Sequence, residues 1–418
     1  MVPKGWKLTS LGEICNGNLQ TGPFGSQLHA HEYVPVGIPV LMPKDLIGCR
    51  AKLADAAKIN QKKAQELKKH FLKTGDLLFS RRGDVARFAL IDEESEGSIC
   101  GTGCLKARPS DKHSSAFLAY FLQKDSIRKW LEQNAVGQTM PNMNTEILNE
   151  LPLMAASSKQ EEDRIAQILS TWDNAISVTE KLLTNSQQQK KALMQQLLTG
   201  KKRLLDENGT RFSETWKLYA LSELFQRVTT KNNGKSNNVV TISGQHGLIK
   251  QEDFFKKTVA SDTLDGYFLL KKGQFAYNKS YSNGYPMGAI KRLNRYPEGV
   301  VTTLYICFEL TTPKKSCGDY WEHYFESGLL NNSLSQIAHE GGRAHGLLNV
   351  KPSDFFSLKV AVPGFEEQQK IASVLSAADT EISTLEKKLA CLRDEKKALM
   401  QQLLTGKRRV KVDEAVAV

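Results

Sequence analysis

Two stretches of the chain carry apolar residues in alternating steps of four and three. The first runs Ile165, Leu169, Trp172, Ile176, Thr179, Leu183, Ser186, Lys190, Leu193, Leu197. The second runs Ile371, Leu375, Ala378, Ile382, Leu385, Leu389, Leu392, Lys396, Leu399, Leu403. That alternation is the spacing of a coiled-coil seam. No Pro or Gly interrupts residues 159–199 or 365–405. Gly200 and Gly406 then supply left-handed stops, with Lys201-Lys202-Arg203 and Lys407-Arg408-Arg409 on the negative helix ends. The pattern predicts two helices of about 40 residues, each roughly 60 Å long at ~1.5 Å per residue. Pairing with each other, antiparallel within one chain, is the preferred arrangement. A solvent-lapped helix on its own domain and an intermolecular coiled coil are the alternatives, because Lys190, Lys396, Thr179 and Ser186 make the seam partly polar.

The two stretches belong to an internal repeat. Lys191-Ala192-Leu193-Met194-Gln195-Gln196-Leu197-Leu198-Thr199-Gly200-Lys201 returns 206 residues later as Lys397 to Lys407. Glu161, Ile165, Ala166, Leu169 and Ser170 return as Glu367, Ile371, Ala372, Leu375 and Ser376. Trp6-Lys7-Leu8 and Trp216-Lys217-Leu218 open the two halves. A period this long is a duplicated domain plus helix and not a solenoid, whose units span roughly 20–50 residues. Similar ends around diverged inserts (roughly 20–155 and 230–360) predict a pseudo-two-fold molecule with two similar docking places for a partner.

The inserts alternate short apolar runs with Gly, Asn, Asp and Pro, an α+β pattern. Leu77-Leu78-Phe79-Ser80-Arg81-Arg82-Gly83-Asp84, followed by residues 85–91, predicts a hairpin with a basic tip. Residues 272–279, the turn Ser282-Asn283-Gly284 and Gly288-Ala289-Ile290 predict another in the second half. Such tips can enter a DNA groove, where Arg, Lys, Asn and Gln read base edges; ordinary solvated turns are the plain alternative. A second paired feature precedes each long helix, at residues 137–144 and 341–349. Its glycines and short donors suit phosphate contact, or else shape the turn into the last strands.

The chain has 418 residues, with 57 Lys+Arg against 45 Asp+Glu and a net charge of +12, which favours a polyanionic partner. No apolar run approaches the ~18–20 residues needed to cross a bilayer, and the N-terminus has no signal-peptide core. Seven irregularly spaced cysteines argue for reduced thiols and a cytoplasmic location. Catalytic motifs are missing. There is no phosphate-binding Gly-x-x-x-x-Gly-Lys-Ser/Thr loop and no Asn-Pro-Pro-aromatic tetrapeptide, and Gly101-Thr102-Gly103-Cys104 is a weak match to a cofactor turn. Cys100 and Cys104 have no second pair to complete a zinc site.

These residues resemble the DNA-specificity (S) subunits of type I restriction–modification enzymes. The resemblance rests on the two Leu-Met-Gln-Gln-Leu-Leu-Thr-Gly-Lys helix ends and on Glu367-Gln368-Gln369-Lys370-Ile371. Gly22-Pro23-Phe24-Gly25-Ser26, Gly75-Asp76-Leu77-Leu78 and Gly137-Gln138-Thr139 support it. The chain departs from the family pattern at Gly342-Arg343-Ala344 and Gln160-Glu161-Glu162. The resemblance implies two α/β target-recognition domains (1–156 and 205–363) joined by spacer helices (157–204 and 364–418, the latter with a basic tail). Each domain would read one half of a split target in double-stranded DNA. The helices would set the gap and dock two modification (methyltransferase) subunits, and restriction (motor–nuclease) subunits would complete the complex. No cofactor is expected on this chain; S-adenosylmethionine, ATP and Mg²⁺ would sit on the partners, and no membrane is involved.

Candidate DNA-binding residues are Arg81, Arg82, Gln138 and Thr139 in the first half, with Asn278, Lys279, Tyr281 and Arg343 in the second. The helix seam is expected at Ile165, Leu169, Ile176, Leu183, Leu193, Leu197, Ile371, Leu375, Ile382, Leu389, Leu399 and Leu403. Neither a catalytic residue nor a metal ligand is expected. A stand-alone DNA-modifying enzyme and a coiled-coil scaffold are the competing classes.

Overall fold

The computed structural model describes residues 2–137, 141–255, 263–312, 314–338 and 348–411. The chain forms two compact units, residues 1–179 with 388–418, and residues 180–387. Both long helices form where the seam predicts them, at Lys159–Leu197 and Phe365–Leu403, 39 residues each. The front of the first and the back of the second belong to unit 1, and the remaining parts belong to unit 2.

In unit 1, β1 (Lys7–Ser10) opens the insert. It is followed by β2 (Leu19–Thr21), β3 (Leu77–Ser80), β4 (Phe88–Leu90), β5 (Cys104–Ala107) and β6 (Pro152–Ala155). β1 and β6 pair antiparallel and bring the two ends of the insert together. A six-stranded mixed sheet runs β2-β5-β3-β4, then Cys49–Ala51 and Leu46–Ile47, and a four-stranded sheet lies beside it in sequence. Every residue of β3 is buried, which is why this strand reads as a continuous apolar run and not as an alternation. Helix α1 (Ser115–Leu122) is capped by Ser114, whose hydroxyl accepts from Phe117 N; α2 (Asp125–Asn134) follows. One core joins insert and helices: Phe79, Leu105, Phe117 and Leu118 with Ile165, Leu169, Leu403 and Leu404. Burying each such side chain contributes about 1.5–3 kcal/mol.

Unit 2 repeats the plan. β7 (Lys217–Ala220) pairs with Lys359–Val362. β8 (Phe225–Arg227), β9 (Phe275–Asn278), β10 (Ala289–Arg292) and β11 (Ile306–Leu310) form a sheet in the order β8-β11-β9-β10. Helices α3 (Gly318–Glu326) and α4 (Asn331–Ile337) take the places of α1 and α2. The core is aromatic: Phe225 meets Trp321 edge-on at 5.0 Å, and Phe275 stacks on Phe308 at 5.4 Å. Leu197, Leu198, Ile371 and Leu375 close it from the long helices.

The polar seam positions have partners. Lys396 Nζ donates to Asp173 at 2.5 Å in unit 1, and Lys190 to Asp379 in unit 2. Ser186 donates to Glu381 at 3.0 Å, and Thr179 bonds back to Ala175 O at 2.7 Å. The basic helix ends do more than neutralise a dipole. Arg203 makes a two-pronged bond to Glu367 at 2.6 and 2.7 Å, and Arg409 does the same to Glu161 at 2.6 and 2.9 Å. Gly200 and Gly406, at φ +70° and +64°, turn the chain so that these arginines can reach. Within each unit, therefore, the front of one long helix lies antiparallel against the back of the other.

Candidate nucleic-acid interface

β3 and β4 pair antiparallel, Leu77 with Leu90 through Phe79 with Phe88, so the first predicted hairpin exists and residues 81–87 form its tip. Gly83 sits at φ +76°, which makes the sharp bend possible. The tip is wired to the second paired feature. Arg81 N donates to Gly103 O at 2.8 Å, Met143 N to Arg81 O at 2.8 Å, and Gly83 N to Pro141 O at 3.2 Å. Arg82 forms a bridge with Asn142 and is exposed. Arg81 is half-buried, and its Nε has no hydrogen-bond partner among the described residues. Asp84, the acidic residue of the tip, meets Arg87 at 3.7 Å and Arg128 of α2 at 3.5 Å. Gln138 and Thr139 lie outside the described residues.

The second hairpin is built alike. β9 and β10 pair antiparallel, and Tyr285 N donates to Ser282 O at 2.8 Å across Asn283-Gly284. Leu348 N donates to Lys279 O at 2.8 Å, the same link that Met143 makes to Arg81. Lys279 Nζ lies 3.4 Å from Val350 O, and burial followed by Arg227 depresses its ammonium. Asn278 Oδ1 accepts from Ser280 N at 3.2 Å, while Tyr281 is 64% exposed. Arg343 lies outside the described residues. The structure thus brings Arg81 and Arg82 beside residues 141–143, and Asn278 and Lys279 beside residues 348–350.

Other motifs prove structural. Asp76 is buried and takes a two-pronged bond from Arg108 at 2.6 and 2.7 Å. A Cβ on Gly22 would lie 1.8 Å from Gly101 O, and one on Gly101 would lie 2.5 Å from Leu41 O. These glycines allow close backbone packing. Asn144 caps the helix Thr145–Asn149 by accepting from Ile147 N at 2.8 Å, which is the turn-shaping role. Cys100 and Cys104 are buried and free, and burial pushes the Cys100 thiol up to about 12. Among the described residues, no three His, Cys, Asp or Glu side chains group as a metal site, and no helix is long and apolar enough to cross a membrane.

Two features went unseen in the sequence. The loop Gly244-Gln245-His246 abuts the second tip through Tyr285 Oη, which donates to Gly244 O at 2.9 Å. This neighbour comes from another hairpin and leaves no local signal. The acceptors Asp173 and Asp379 did leave one, because they recur at the same 206-residue offset as Lys190 and Lys396.

Comparison with known proteins agrees with this arrangement. Residues 3–185 match the family described as the type I restriction modification DNA specificity domain. A Methanocaldococcus jannaschii relative, named as the type I restriction enzyme MjaX specificity subunit, is 24% identical over 98% of this chain and 95% of its own. The crystal structure of an S subunit from M. genitalium superposes with a TM-score of 0.56 at 17% identity, covering 95% of this chain and 96% of that one. The HsdS subunit from Thermoanaerobacter tengcongensis gives 0.52 at 16%, covering 97% and 98%. At such identities the structures establish the fold. Residues 3–185 thus match the type I restriction modification DNA specificity domain, and over nearly its whole length the chain has the fold of the solved specificity subunits to which it is similar.

Proposed function

We propose that the two recognition domains, residues 1–156 and 205–363, each read one half of a bipartite DNA target. The supporting observation is the repeated wiring of two different tips on one frame: Met143 to Arg81 in unit 1 and Leu348 to Lys279 in unit 2. The readers are Arg81, Arg82, Gln138 and Thr139 in the first domain and Asn278, Lys279, Tyr281 and Arg343 in the second. Arg82 presents a cation in the open, and Tyr281 an aromatic ring with a polar end. The long helices set the gap between half-sites and dock two modification subunits. Those subunits carry S-adenosylmethionine, and restriction subunits bring the ATP- and Mg²⁺-dependent steps. The complex works in the cytoplasm.

Sequencing the methylated positions in cells that carry the complete system tests the proposal. The expected result is a split motif with a fixed gap. Inserting four residues after Thr199 is expected to lengthen the gap and leave both half-sites unchanged. An altered half-site with an unchanged gap rejects the spacer role.

A further inference from the structure

A groove of about 470 Å³ in unit 1 runs between the start of α2 and the back of the second long helix. Five cations line it, Lys124, Arg393, Lys396, Lys397 and Lys407, against one carboxylate, Asp125. Lys396 is engaged by Asp173. Lys397 and Lys407 are exposed. Lys124 lies over the Phe121 ring at 4.2 Å, where burial depresses its ammonium. Lys124 is also the residue before α2, and its side chain does not cap that ten-residue helix. The positive end of a helix and the cations of a second element thus converge on one groove.

The repeat preserves this feature only in part, with Lys190, Lys191 and Lys201 standing 206 residues before Lys396, Lys397 and Lys407. The 206-residue offset puts Gln187 where Arg393 stands, and the turn before α4 is Ser327-Gly328-Leu329-Leu330, with no lysine. One turn into α2, Arg128 meets Asp84 of the first hairpin's tip, and just beyond its far end Val136 pairs with Asn142. The groove thus lies at the start of α2, against the back of the second long helix. It also contains Met400, and the thioether suits a polypeptide with an apolar neighbour to its acid, which a bare phosphate backbone lacks.

We propose that this groove receives an acidic segment of one modification subunit, and that the two docking places are electrostatically unequal, unit 1 holding its copy by charge and unit 2 by other contacts. The inference rests on the docking of modification subunits proposed above. It is tested by assembling the full chain with the modification subunit of the same system and counting bound copies by native mass spectrometry between 50 and roughly 400 mM salt. The variants are Lys124→Glu with Lys397→Glu, and Lys191→Glu with Lys201→Glu as the counterpart in unit 2.

The wild type is expected to bind two copies and to lose one first as salt rises. The first variant is expected to weaken one copy by about tenfold at low salt and leave the other unchanged, with a milder effect from the second variant. Lys397→Gln alone, which alters one exposed side chain, is expected to give a smaller loss of the same copy with an unchanged melting temperature. Two copies at wild-type affinity on the first variant overturn the inference alone. So does a variant that keeps both copies and instead shows a shallower salt slope for duplex DNA, because the groove then holds phosphate. A wild-type chain that takes up no modification subunit overturns the docking reading as well.

Discussion

Lys396 Nζ donates to Asp173 Oδ1, and a shift of 206 residues turns this pair into Lys190 and Asp379. The polar interruptions of the seam are thus one device used twice. Asp173 also accepts from Tyr120 Oη at 2.6 Å, whereas Asp379 faces His323 at 3.7 Å. Each recognition domain therefore touches the seam through the same carboxylate with a different residue.

Breaking either pair leaves a half-buried carboxylate without its cation. Lys396→Ala is expected to lower stability by about 1–2 kcal/mol, discounted for solvent access. The exchange Asp173→Lys with Lys396→Asp is expected to recover part of it. Urea titration of the single and double variants measures the coupling.

His323 is buried, and burial outweighs Asp379 in setting its proton affinity, with Lys190 adding to the depression. Its folded pKa lies below the unfolded value near 6.5, so its stabilising contribution is present above that pH and is lost as pH falls. His323→Tyr copies the unit 1 arrangement and is expected to flatten the stability profile below pH 6.5. Thermal melts across that range check it.

Glu161 shows the carboxylate case. Burial pushes its carboxyl up, but Arg409 and the Ser157 N–H outweigh burial and hold it below the ordinary 4.5. Its contribution is complete at neutral pH and disappears as pH drops through and below that value. Glu161→Gln is expected to cost about 1–3 kcal/mol at pH 7 and progressively less as pH falls below 4.5, by the same melts.

Gly200 and Gly406 share a left-handed φ, but their surroundings differ. A Cβ on Gly200 would rest against Trp216 at 3.4 Å, while one on Gly406 would meet Pro3 at 2.6 Å. Gly200→Ala is expected to cost about 1 kcal/mol from backbone strain, and Gly406→Ala about 1–2 kcal/mol more from overpacking. Equal losses in denaturant midpoint would count against the packing difference.

At the reading tips, Arg82→Ala and Lys279→Ala are expected to weaken DNA binding at different half-sites. A base-reading role costs about 1–3 kcal/mol at one position, and a phosphate role weakens all sequences alike. Binding titrations on duplexes with one half-site scrambled separate the two.

The long helices are legible in the sequence to within a residue or two because their period is local and no Pro or Gly breaks it. The two hairpins are legible for the same reason, with Gly83 and Asn283-Gly284 marking the bends. The sheets are not, because their pairings are distant: Cys49–Ala51 joins β4 in parallel across some 40 residues with no pattern to announce it. The reading tips were found from composition, but their anchoring by Met143 and Leu348 needed coordinates. Gly22 and Asp76, which resemble family signatures, serve packing and an internal ion pair.

Unit 2 is one unbroken stretch of chain, residues 180–387, whereas unit 1 is completed by residues 388–418. On a ribosome the second recognition domain can thus finish folding while the first, synthesised earlier, still lacks Leu403 and Leu404 from its core and Arg409 from its Glu161 clasp. The part made first therefore matures last.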